Sequence, residues 1–232
     1  MKHILITGAT RGIGYAIASL LASLDYDITI TGRNLSKLEE VSSYLHCNFI
    51  QQDLLEKNAP EHLFSKIKDI DIIINNAGEY IWSEVENTPN DDIERLIKLN
   101  FEVPYKLCKL AVPYMKSKNW GRIINIGSIS GVVGEGNASL YSATKGALVA
   151  MGKALGLELA EYGITINTIN PGWVNTELIS STPNIQEEID CVPQKRFVEP
   201  IEIAKMVEYL LSDNAKGITG QNINICAGLS LG

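Results

Sequence analysis

Short apolar runs alternate with helical patterns along the whole length of the 232-residue chain. The runs are mostly β-branched or apolar, which is typical of strands buried on both faces. Alternation of this kind predicts an α/β fold in which helices cover both faces of a parallel sheet. The predicted strands are 3–7, 27–31, 48–51, 71–75, 121–127, 164–169 and 222–226, and the predicted helices are 13–24, 35–45, 61–68, 90–117, 140–161 and 200–212.

Right-handed crossovers between these strands predict a doubly wound, Rossmann-type sheet of about seven strands in the order 3-2-1-4-5-6-7. A chain of 232 residues has room for one such domain and for no second one, so we expect a single domain over 1–232. Ligands bind these sheets at the carboxyl ends of the strands, where the strand order reverses. Functional side chains are therefore expected at those ends.

Charge and the start of the chain argue against two classes of partner. Twenty basic and twenty-seven acidic residues give a net charge of −7, without a block rich in lysine and arginine, so a nucleic-acid partner is not expected. The first apolar run stops at Thr7-Gly8, too short for a signal-peptide core or a membrane span. We expect a cytoplasmic protein with no membrane association.

The cysteines and histidines lack the spacing of a metal site. Cys47, Cys108, Cys191 and Cys226 are far apart, without a C-x-x-C pair or a companion histidine, so neither zinc nor a disulfide framework is expected. All three histidines precede residue 71, and the elbow G-x-S-x-G is absent around Ser128. A Ser-His-Asp hydrolase is therefore disfavoured, and no metal is predicted.

A glycine-rich turn, Thr7-Gly8-Ala9-Thr10-Arg11-Gly12-Ile13-Gly14, joins the first predicted strand to the first predicted helix. Backbone amides and the dipole of a helix N-terminus attract anions, and glycine allows a phosphate to approach the backbone closely. The turn therefore favours a dinucleotide pyrophosphate as ligand. The alternative is a turn that merely connects the strand to the helix.

Tyr141 follows Ser128 by thirteen positions, and Lys145 follows one helical turn after Tyr141. Residues i and i+4 share a helix face, so the Lys145 ammonium is expected to lower the pKa of the Tyr141 phenol toward neutrality. Such a phenol can act as a general acid or base. The alternative is an exposed i, i+4 pair on an ordinary helix.

Several motifs follow one another along the chain. They are the glycine spacing G-x-x-x-G-x-G, the stretch Asn75-Asn76-Ala77-Gly78, the group Asn100, Ser128, Tyr141 and Lys145, and the stretch Asn170-Pro171-Gly172. As a set, these motifs resemble the short-chain dehydrogenase/reductase family over essentially the whole chain. Glu79 and Cys226 depart from the family pattern. The resemblance implies a homo-oligomer, a dimer or tetramer, and an oxidoreductase that interconverts a ketone and a secondary alcohol.

The resemblance also implies a nicotinamide dinucleotide on the glycine-rich turn. Asp53 would hydrogen-bond the adenine amino group, with a plain loop or N-cap role as the alternative. Asn76, Ala77 and Gly78 would pass the adenosine ribose, with a purely structural role as the alternative for Asn75 and Asn76. The residues implied in cofactor binding are Gly8, Thr10, Arg11, Gly12, Ile13, Gly14, Arg33, Asp53, Leu54, Asn76, Ala77, Gly78, Tyr141, Lys145, Pro171, Gly172, Val174 and Thr176.

Charge argues for NADP(H) over NAD(H). Family members that bind NAD usually place an acid at the end of the second strand, where this chain has Gly32 followed by Arg33. Arg33 and Arg11 could hold a 2′-phosphate by bidentate contacts. Both could instead be solvated surface residues.

The resemblance implies four catalytic residues. Tyr141 would deliver the proton to the carbonyl oxygen, Ser128 would hydrogen-bond that oxygen, and Lys145 would also bind the nicotinamide ribose. Asn100 would anchor a water in a proton relay to the lysine, with a helix kink or packing as the alternative role.

The substrate stays open. The segment 173–199 predicts a lid, and Trp82, Trp173, Tyr80, Glu135 and Asn137 could line a pocket. A 3-oxoacyl-carrier-protein reductase is an alternative; its acidic partner would need a basic patch such as Lys116, Lys118 and Arg122, although Tyr162 replaces a basic residue common in such reductases. A second alternative, of another class, is a non-catalytic dinucleotide-sensing protein.

One predicted helix bears on assembly. Gly146, Gly152 and Gly156 make the predicted helix 140–161 narrow, which favours a subunit interface, with tight packing inside one subunit as the alternative.

Overall fold

A computed structural model describes residues 1–24, 26–67, 69–177 and 185–231. Within these residues, seven parallel strands form one sheet in the order β3-β2-β1-β4-β5-β6-β7, as predicted. Helices bury both faces of the central strands, which are rich in isoleucine but also contain buried polar residues such as Asn125 and Asn167. The strands are β1 Lys2–Thr7, β2 Tyr26–Gly32, β3 Asn48–Gln51, β4 Ile72–Asn75, β5 Gly121–Ile126, β6 Ile164–Pro171 and β7 Asn222–Ile225.

Helices pack on both faces of the sheet. The helices within the described residues are α1 Gly12–Ala22, α2 Leu35–Leu45, α3 Ala59–Lys66, α4 Asn90–Ile97, α5 Val103–Lys118, α6 Ser130–Val133, α7 Ser139–Leu159, α8 Ile185–Cys191 and α9 Pro200–Leu211. Side chains alternate across each strand, so Ile4 and Ile6 join the core under α1, α2 and α9, whereas Leu5 joins the core under α3, α5 and α7.

The predicted helix 90–117 is interrupted. Between α4 and α5, residues Lys98–Glu102 form a wider, π-helical turn. Pro104 has no N–H, so the hydrogen bond that an α-helix would direct to the carbonyl of Asn100 cannot form. Such turns are frequent at functional sites, and this one contains Asn100.

Two short helices were not predicted. α6 follows β5 directly, and α8 lies in the segment 173–199 that was expected to be a lid. Part of that lid, residues 178–184, lies outside the described residues. The two ends of the segment are tied together by a parallel bridge between Val174 and Val198.

Two further observations concern the described residues. None of their helices is long and apolar enough to cross a membrane. No group of three or more His, Cys, Asp or Glu side chains within them could hold a metal ion.

Candidate active site

A cleft of about 640 Å³ opens at the carboxyl ends of the central strands. The reversal of strand order lies here, because β1 is flanked by β2 on one side and β4 on the other. All residues predicted to contact a cofactor line the cleft, as does Ser128. Asn100 does not line it and is buried beneath it.

The glycine-rich turn fits closely against the end of β4. Gly8 has φ +67°, and a Cβ there would lie 3.0 Å from the Cα of Ala77. A Cβ on Gly14 would lie 2.4 Å from both Asn76 Nδ2 and the carbonyl oxygen of Gly8. Any larger residue at these two positions would therefore push the turn away from β4.

The N-terminus of α1 faces the same turn. Arg11 precedes the helix with an extended backbone, and its side chain does not cap the helix. The first-turn N–H groups are thus left to other acceptors, and with the glycines they form an anion-binding cradle. This arrangement fits the pyrophosphate of a dinucleotide. Thr176 closes the turn from the far side, since a Cβ on Gly12 would lie 3.4 Å from its methyl group.

Asn76 holds the turn in place. Its side-chain amide donates to the carbonyl oxygens of Thr7 at 2.9 Å and Gly8 at 3.0 Å. In return, the Thr7 hydroxyl accepts the backbone N–H groups of Asn76 and Ala77, each at 3.0 Å. The side-chain amide of Asn76 is thus engaged in structure, in agreement with the structural alternative.

Arg33 and Glu79 face each other at the end of the cleft next to β2. The Arg33 guanidinium lies 3.6 Å from the Glu79 carboxylate, and the Arg33 side chain is 63% exposed. Glu79 is also paired with Arg95. Glu79, a departure from the family pattern, therefore supplies the acidic partner of the cation predicted to hold a 2′-phosphate.

Asp53 lies on the same side of the cleft. Its carboxylate accepts the backbone N–H of Leu55 at 2.9 Å, which shapes the loop after β3. The adjacent Leu54 is buried and lines the cleft. One carboxylate oxygen of Asp53 thus accepts a hydrogen bond within the loop, and the residue also lines the cleft next to β3.

β6 and β7 form the opposite wall. Pro171 ends β6, and the Gly172 N–H donates to the carbonyl of Ile225. A Cβ on Gly172 would lie 2.9 Å from the Cα of Cys226, so glycine is needed for this approach. Burial alone would raise the pKa of the Cys226 thiol, but hydrogen bonds from Ser230 and nearby backbone N–H groups lower it. Val174 continues this wall and is buried.

α7 carries Tyr141 and Lys145 on the face that meets the sheet. Lys145 is 4% exposed, and its Nζ donates to the carbonyl oxygen of Ile126 at 2.8 Å. That ammonium lies 5.8 Å from the centre of the Tyr141 ring. Burial lowers the pKa of Lys145 to about 8. The two side chains are therefore neighbours in a desolvated site, as the i, i+4 spacing predicted.

The predicted lowering of the Tyr141 pKa is wrong for this structure. Burial raises that pKa, a hydrogen bond with Ser128 lowers it, and the negative charge of Glu135 raises it further. Lys145 directs its ammonium to a backbone carbonyl rather than to the phenol. Desolvation thus outweighs the expected effect of the cation.

Asn100 clamps the chain after β4. Its side-chain oxygen accepts the N–H of Glu79 at 2.9 Å, and its amide donates to the Glu79 carbonyl at 2.9 Å. The amide also donates to the Thr144 hydroxyl, which donates to the carbonyl of Tyr141. Asn100 therefore links the π-helical turn to the loop of Glu79 and to α7, which agrees with the packing alternative.

A chain of hydrogen bonds leads away from Ser128. Its hydroxyl donates to Ser130 at 3.1 Å, and Ser130 donates to the Glu135 carboxylate at 2.6 Å. Tyr80 donates to the other carboxylate oxygen at 2.6 Å, and its ring meets the Tyr141 ring edge-on. Tyr80 and Glu135 are among the residues predicted to line the pocket, whereas Ser130 is not. The second serine in Ser128-Ile129-Ser130 was the available signal.

Of the other residues proposed to line a substrate pocket, only one lies in the cleft. Trp173 lines the cleft, but Trp82 and Asn137 do not. Trp82 is an exposed residue of the loop before α4. The backbone carbonyl of Asn137 accepts from Ser83, which ties this loop to the one before α7.

The basic patch considered for a carrier protein lacks one of its three predicted cations, because Arg122 is buried. Arg122 is 2% exposed. It pairs in register with Ile72 at the start of β4, so it lies at the amino ends of the strands, opposite the cleft. Lys116 lies over the Tyr162 ring at the same edge. These cations therefore lie far from the reaction site.

The glycines of α7 face the interior of the subunit. A Cβ on Gly152 would lie 3.0 Å from the Thr168 hydroxyl of β6, and one on Gly156 would lie 2.9 Å from the Cα of Gly220. Gly146 faces Gly131. The narrow helix is thus explained by packing within one subunit, which was the alternative to an interface.

Comparisons with known proteins agree with this architecture. A family model described as "Enoyl-(Acyl carrier protein) reductase" matches residues 8–230. The 3-oxoacyl-[acyl-carrier-protein] reductase FabG of Rickettsia typhi is 34% identical, and the match covers 98% of this chain and 96% of that protein.

Two solved structures superpose over nearly the whole chain. A short chain dehydrogenase/reductase family protein has a TM-score of 0.91 and 29% identity, covering 100% of this chain and 98% of its own. A single-residue variant of actinorhodin polyketide ketoreductase, crystallised with NADPH, has a TM-score of 0.92 and 29% identity, covering 99% and 97%. With these matches and the cleft described above, the chain belongs to the short-chain dehydrogenase/reductase family of oxidoreductases.

Proposed function

We propose that this protein is an NADP(H)-dependent oxidoreductase that interconverts a ketone and a secondary alcohol. The observation that carries the proposal is the meeting of Ser128, Tyr141 and Lys145 in one cleft with the glycine-rich turn. The turn offers an anion cradle for the dinucleotide, and the three side chains offer hydrogen-bond donors and a proton at its other end.

The roles of the side chains follow from the charge that develops during reduction. A bound nicotinamide cofactor supplies the hydride that reaches the carbonyl carbon. As negative charge grows on the carbonyl oxygen, Tyr141 delivers its proton, and the Ser128 hydroxyl turns from Ser130 to donate a hydrogen bond to that oxygen. The raised pKa of Tyr141 keeps the phenol protonated at neutral pH, which suits an acid. Lys145 provides a buried positive charge below about pH 8.

NADP(H) is the cofactor that the charges favour. Gly32 leaves the end of β2 without a carboxylate, and Arg33 and Arg11 both line the cleft. Their guanidinium groups can form bidentate contacts with a 2′-phosphate. The actinorhodin polyketide ketoreductase, which shares the fold, was crystallised with NADPH.

Reduction of a 3-oxoacyl group on a carrier protein is a second candidate. It is favoured by the name and identity of the Rickettsia typhi relative. The buried position of Arg122 removes one cation from the surface that an acidic carrier protein would use. A non-catalytic sensing role is the third candidate, and the retention of Ser128, Tyr141 and Lys145 argues against it.

The test is a screen of ketones and 3-oxoacyl thioesters that follows NADPH oxidation. We expect Tyr141→Phe to lower kcat by about 100-fold or more, because it removes the proton donor. Tyr209→Phe, at an exposed tyrosine of α9, serves as the matched control and should retain full activity. Unchanged turnover in Tyr141→Phe would contradict the proposal.

We also propose a homo-oligomer, a dimer or tetramer, in the cytoplasm. Leu157 on α7 is 86% exposed, and Tyr105 on α5 is exposed on the same face of the sheet. Burial of such apolar surface between subunits would be favourable. Light scattering at micromolar concentration should give a mass above 25.4 kDa, and Leu157→Glu should lower it. A monomeric wild type would contradict the proposed assembly.

The segment 173–199 is proposed as a cover over the substrate. Trp173, Val174 and Thr176 at its start already line the cleft. Protection of α8 from amide hydrogen exchange should increase when NADPH and a substrate are present. Identical exchange with and without these ligands would contradict a covering role.

A further inference from the structure

Glu135 occupies an unusual position for a carboxylate. It lies in the loop between α6 and α7 and lines the cleft together with Ser128 and Tyr141. The preceding Gly134 has φ +80°, a conformation that other residues rarely adopt, and this turn directs the chain from α6 toward the cleft. The carboxylate is thus a built part of the reaction site.

Two short hydrogen bonds hold the carboxylate from opposite sides. Tyr80 donates to Oε1 and Ser130 donates to Oε2, each at 2.6 Å. Both partners also contact catalytic residues. Ser130 lies 3.1 Å from the Ser128 hydroxyl, and the Tyr80 ring lies 4.9 Å from the Tyr141 ring, measured between centroids. The position of Glu135 is therefore tied to the place where the carbonyl oxygen of a substrate would be protonated.

Glu135 has acceptor capacity to spare. An ionised carboxylate offers about four lone-pair sites, and Tyr80 and Ser130 use two of them. Val133 and Ile129, which also line the cleft, offer only apolar side chains. A substrate atom that faces Glu135 is thus favoured if it donates a hydrogen bond and disfavoured if it carries negative charge.

We propose that Glu135 selects ketones that carry a hydrogen-bond donor, a hydroxyl or ammonium group, on the carbon next to the carbonyl. This inference rests on the proposed ketone reduction. It separates that function from the carrier-protein alternative, because a 3-oxoacyl thioester has only C–H groups and carbonyl acceptors around its ketone. With such a thioester bound, the Glu135 carboxylate would face substrate groups that cannot donate a hydrogen bond to it.

The test compares two ketones of nearly equal shape. 1-Hydroxybutan-2-one has a hydroxyl where pentan-3-one has a methyl group. A third substrate, 2-oxobutanoate, has a carboxylate next to its ketone. With NADPH, we expect kcat/KM to be about 10- to 100-fold higher for the hydroxyketone than for pentan-3-one, and lowest for 2-oxobutanoate. Glu135→Gln should reduce the preference for the hydroxyketone by about 10-fold.

The ratio between two substrates isolates recognition, since any change in the acidity of Tyr141 affects both. Tyr80→Phe keeps the carboxylate and removes one of its donors, so it should retain the hydroxyketone preference. Glu94→Gln, at an exposed glutamate of α4, makes the same change of charge away from the cleft and should leave the ratio unaltered. Circular dichroism checks that each variant folds.

The outcomes for the two proposals differ. A preference that survives Glu135→Gln, or a wild type that prefers pentan-3-one, overturns the role of Glu135 while Tyr141-dependent reduction stands. If the wild type reduces none of the ketones or thioesters with NADPH, the proposed function fails and this inference fails with it.

Discussion

The guanidinium of Arg33 lies 3.6 Å from the carboxylate of Glu79, across the end of the cleft beside β2. Both residues border the region where the resemblance places the adenosine ribose. A carboxylate this close lowers the positive potential that Arg33 offers to a phosphate. Cofactor affinity therefore depends on the pair rather than on the arginine alone.

The Arg33–Glu79 pair leads to opposite effects in two variants. Arg33→Ala should raise the KM for NADPH by about 10-fold or more and leave the KM for NADH nearly unchanged, because only NADPH carries the 2′-phosphate. Glu79→Gln should lower the KM for NADPH a few-fold by freeing Arg33. Steady-state kinetics with both cofactors measure these effects, with Lys205→Ala on α9 as the control. Equal changes for NADH and NADPH would refute the assignment of Arg33.

Gly32 offers a direct way to change the cofactor. A Cβ at this position would meet Thr10 at 3.4 Å and Leu38 at 3.7 Å, which is ordinary contact, so a side chain fits. Gly32→Asp should place a carboxylate where it accepts ribose hydroxyls and repels a 2′-phosphate. The ratio of kcat/KM for NADPH over NADH should fall below one. If the unaltered enzyme already prefers NADH, the charge argument is wrong.

The pH profile should depend on Glu135. The negative charge of Glu135 raises the pKa of Tyr141, in addition to the larger effect of burial. Glu135→Gln should therefore lower that pKa. Alcohol oxidation needs the deprotonated phenol, so its rate should rise with pH, and this rise should begin at lower pH in the variant. Measured rates of oxidation from about pH 6 to about pH 10 test this, and a rise at unchanged or higher pH would contradict it.

Lys145 should make stability increase with pH. Its pKa is about 8 in the folded protein against 10.5 for the free side chain, so the unfolded chain binds more protons between these values. The free energy of unfolding should then rise with pH across this window, by roughly 3 kcal/mol in total.

Urea unfolding of wild type and Lys145→Met at about pH 8 and about pH 10 isolates this contribution. The difference in unfolding free energy should shift in favour of wild type by roughly 2 kcal/mol over this interval. Lys153→Met, at an exposed position of the same helix, is the control and should follow the wild type. A constant difference between wild type and Lys145→Met would mean that Lys145 titrates normally.

The predicted fold was confirmed in its strand order because apolar strands and helical patterns alternate without interruption. Helix ends differed by one or two residues at most positions. The larger difference is in the predicted unbroken helix 90–117, which is interrupted by the π-helical turn where Pro104 removes a backbone donor. Most residues predicted for the cofactor lie in one cleft because they follow strands whose carboxyl ends meet at the same side of the sheet, and α7 brings Tyr141 and Lys145 to that place.

The contacts and burial of individual side chains in the site depended on distances between residues that are far apart in the sequence. The sequence by itself determined the order of the strands and which motifs lie at their carboxyl ends, because local periodicity and right-handed crossovers leave few other arrangements. Only the tertiary structure decided that Arg122 is buried, that Glu79 pairs with Arg33, and that Ser130 connects Ser128 to Glu135. Likewise, only three-dimensional burial set the direction of the Tyr141 pKa, because electrostatic effects depend on solvent exposure and on charges distant in the chain.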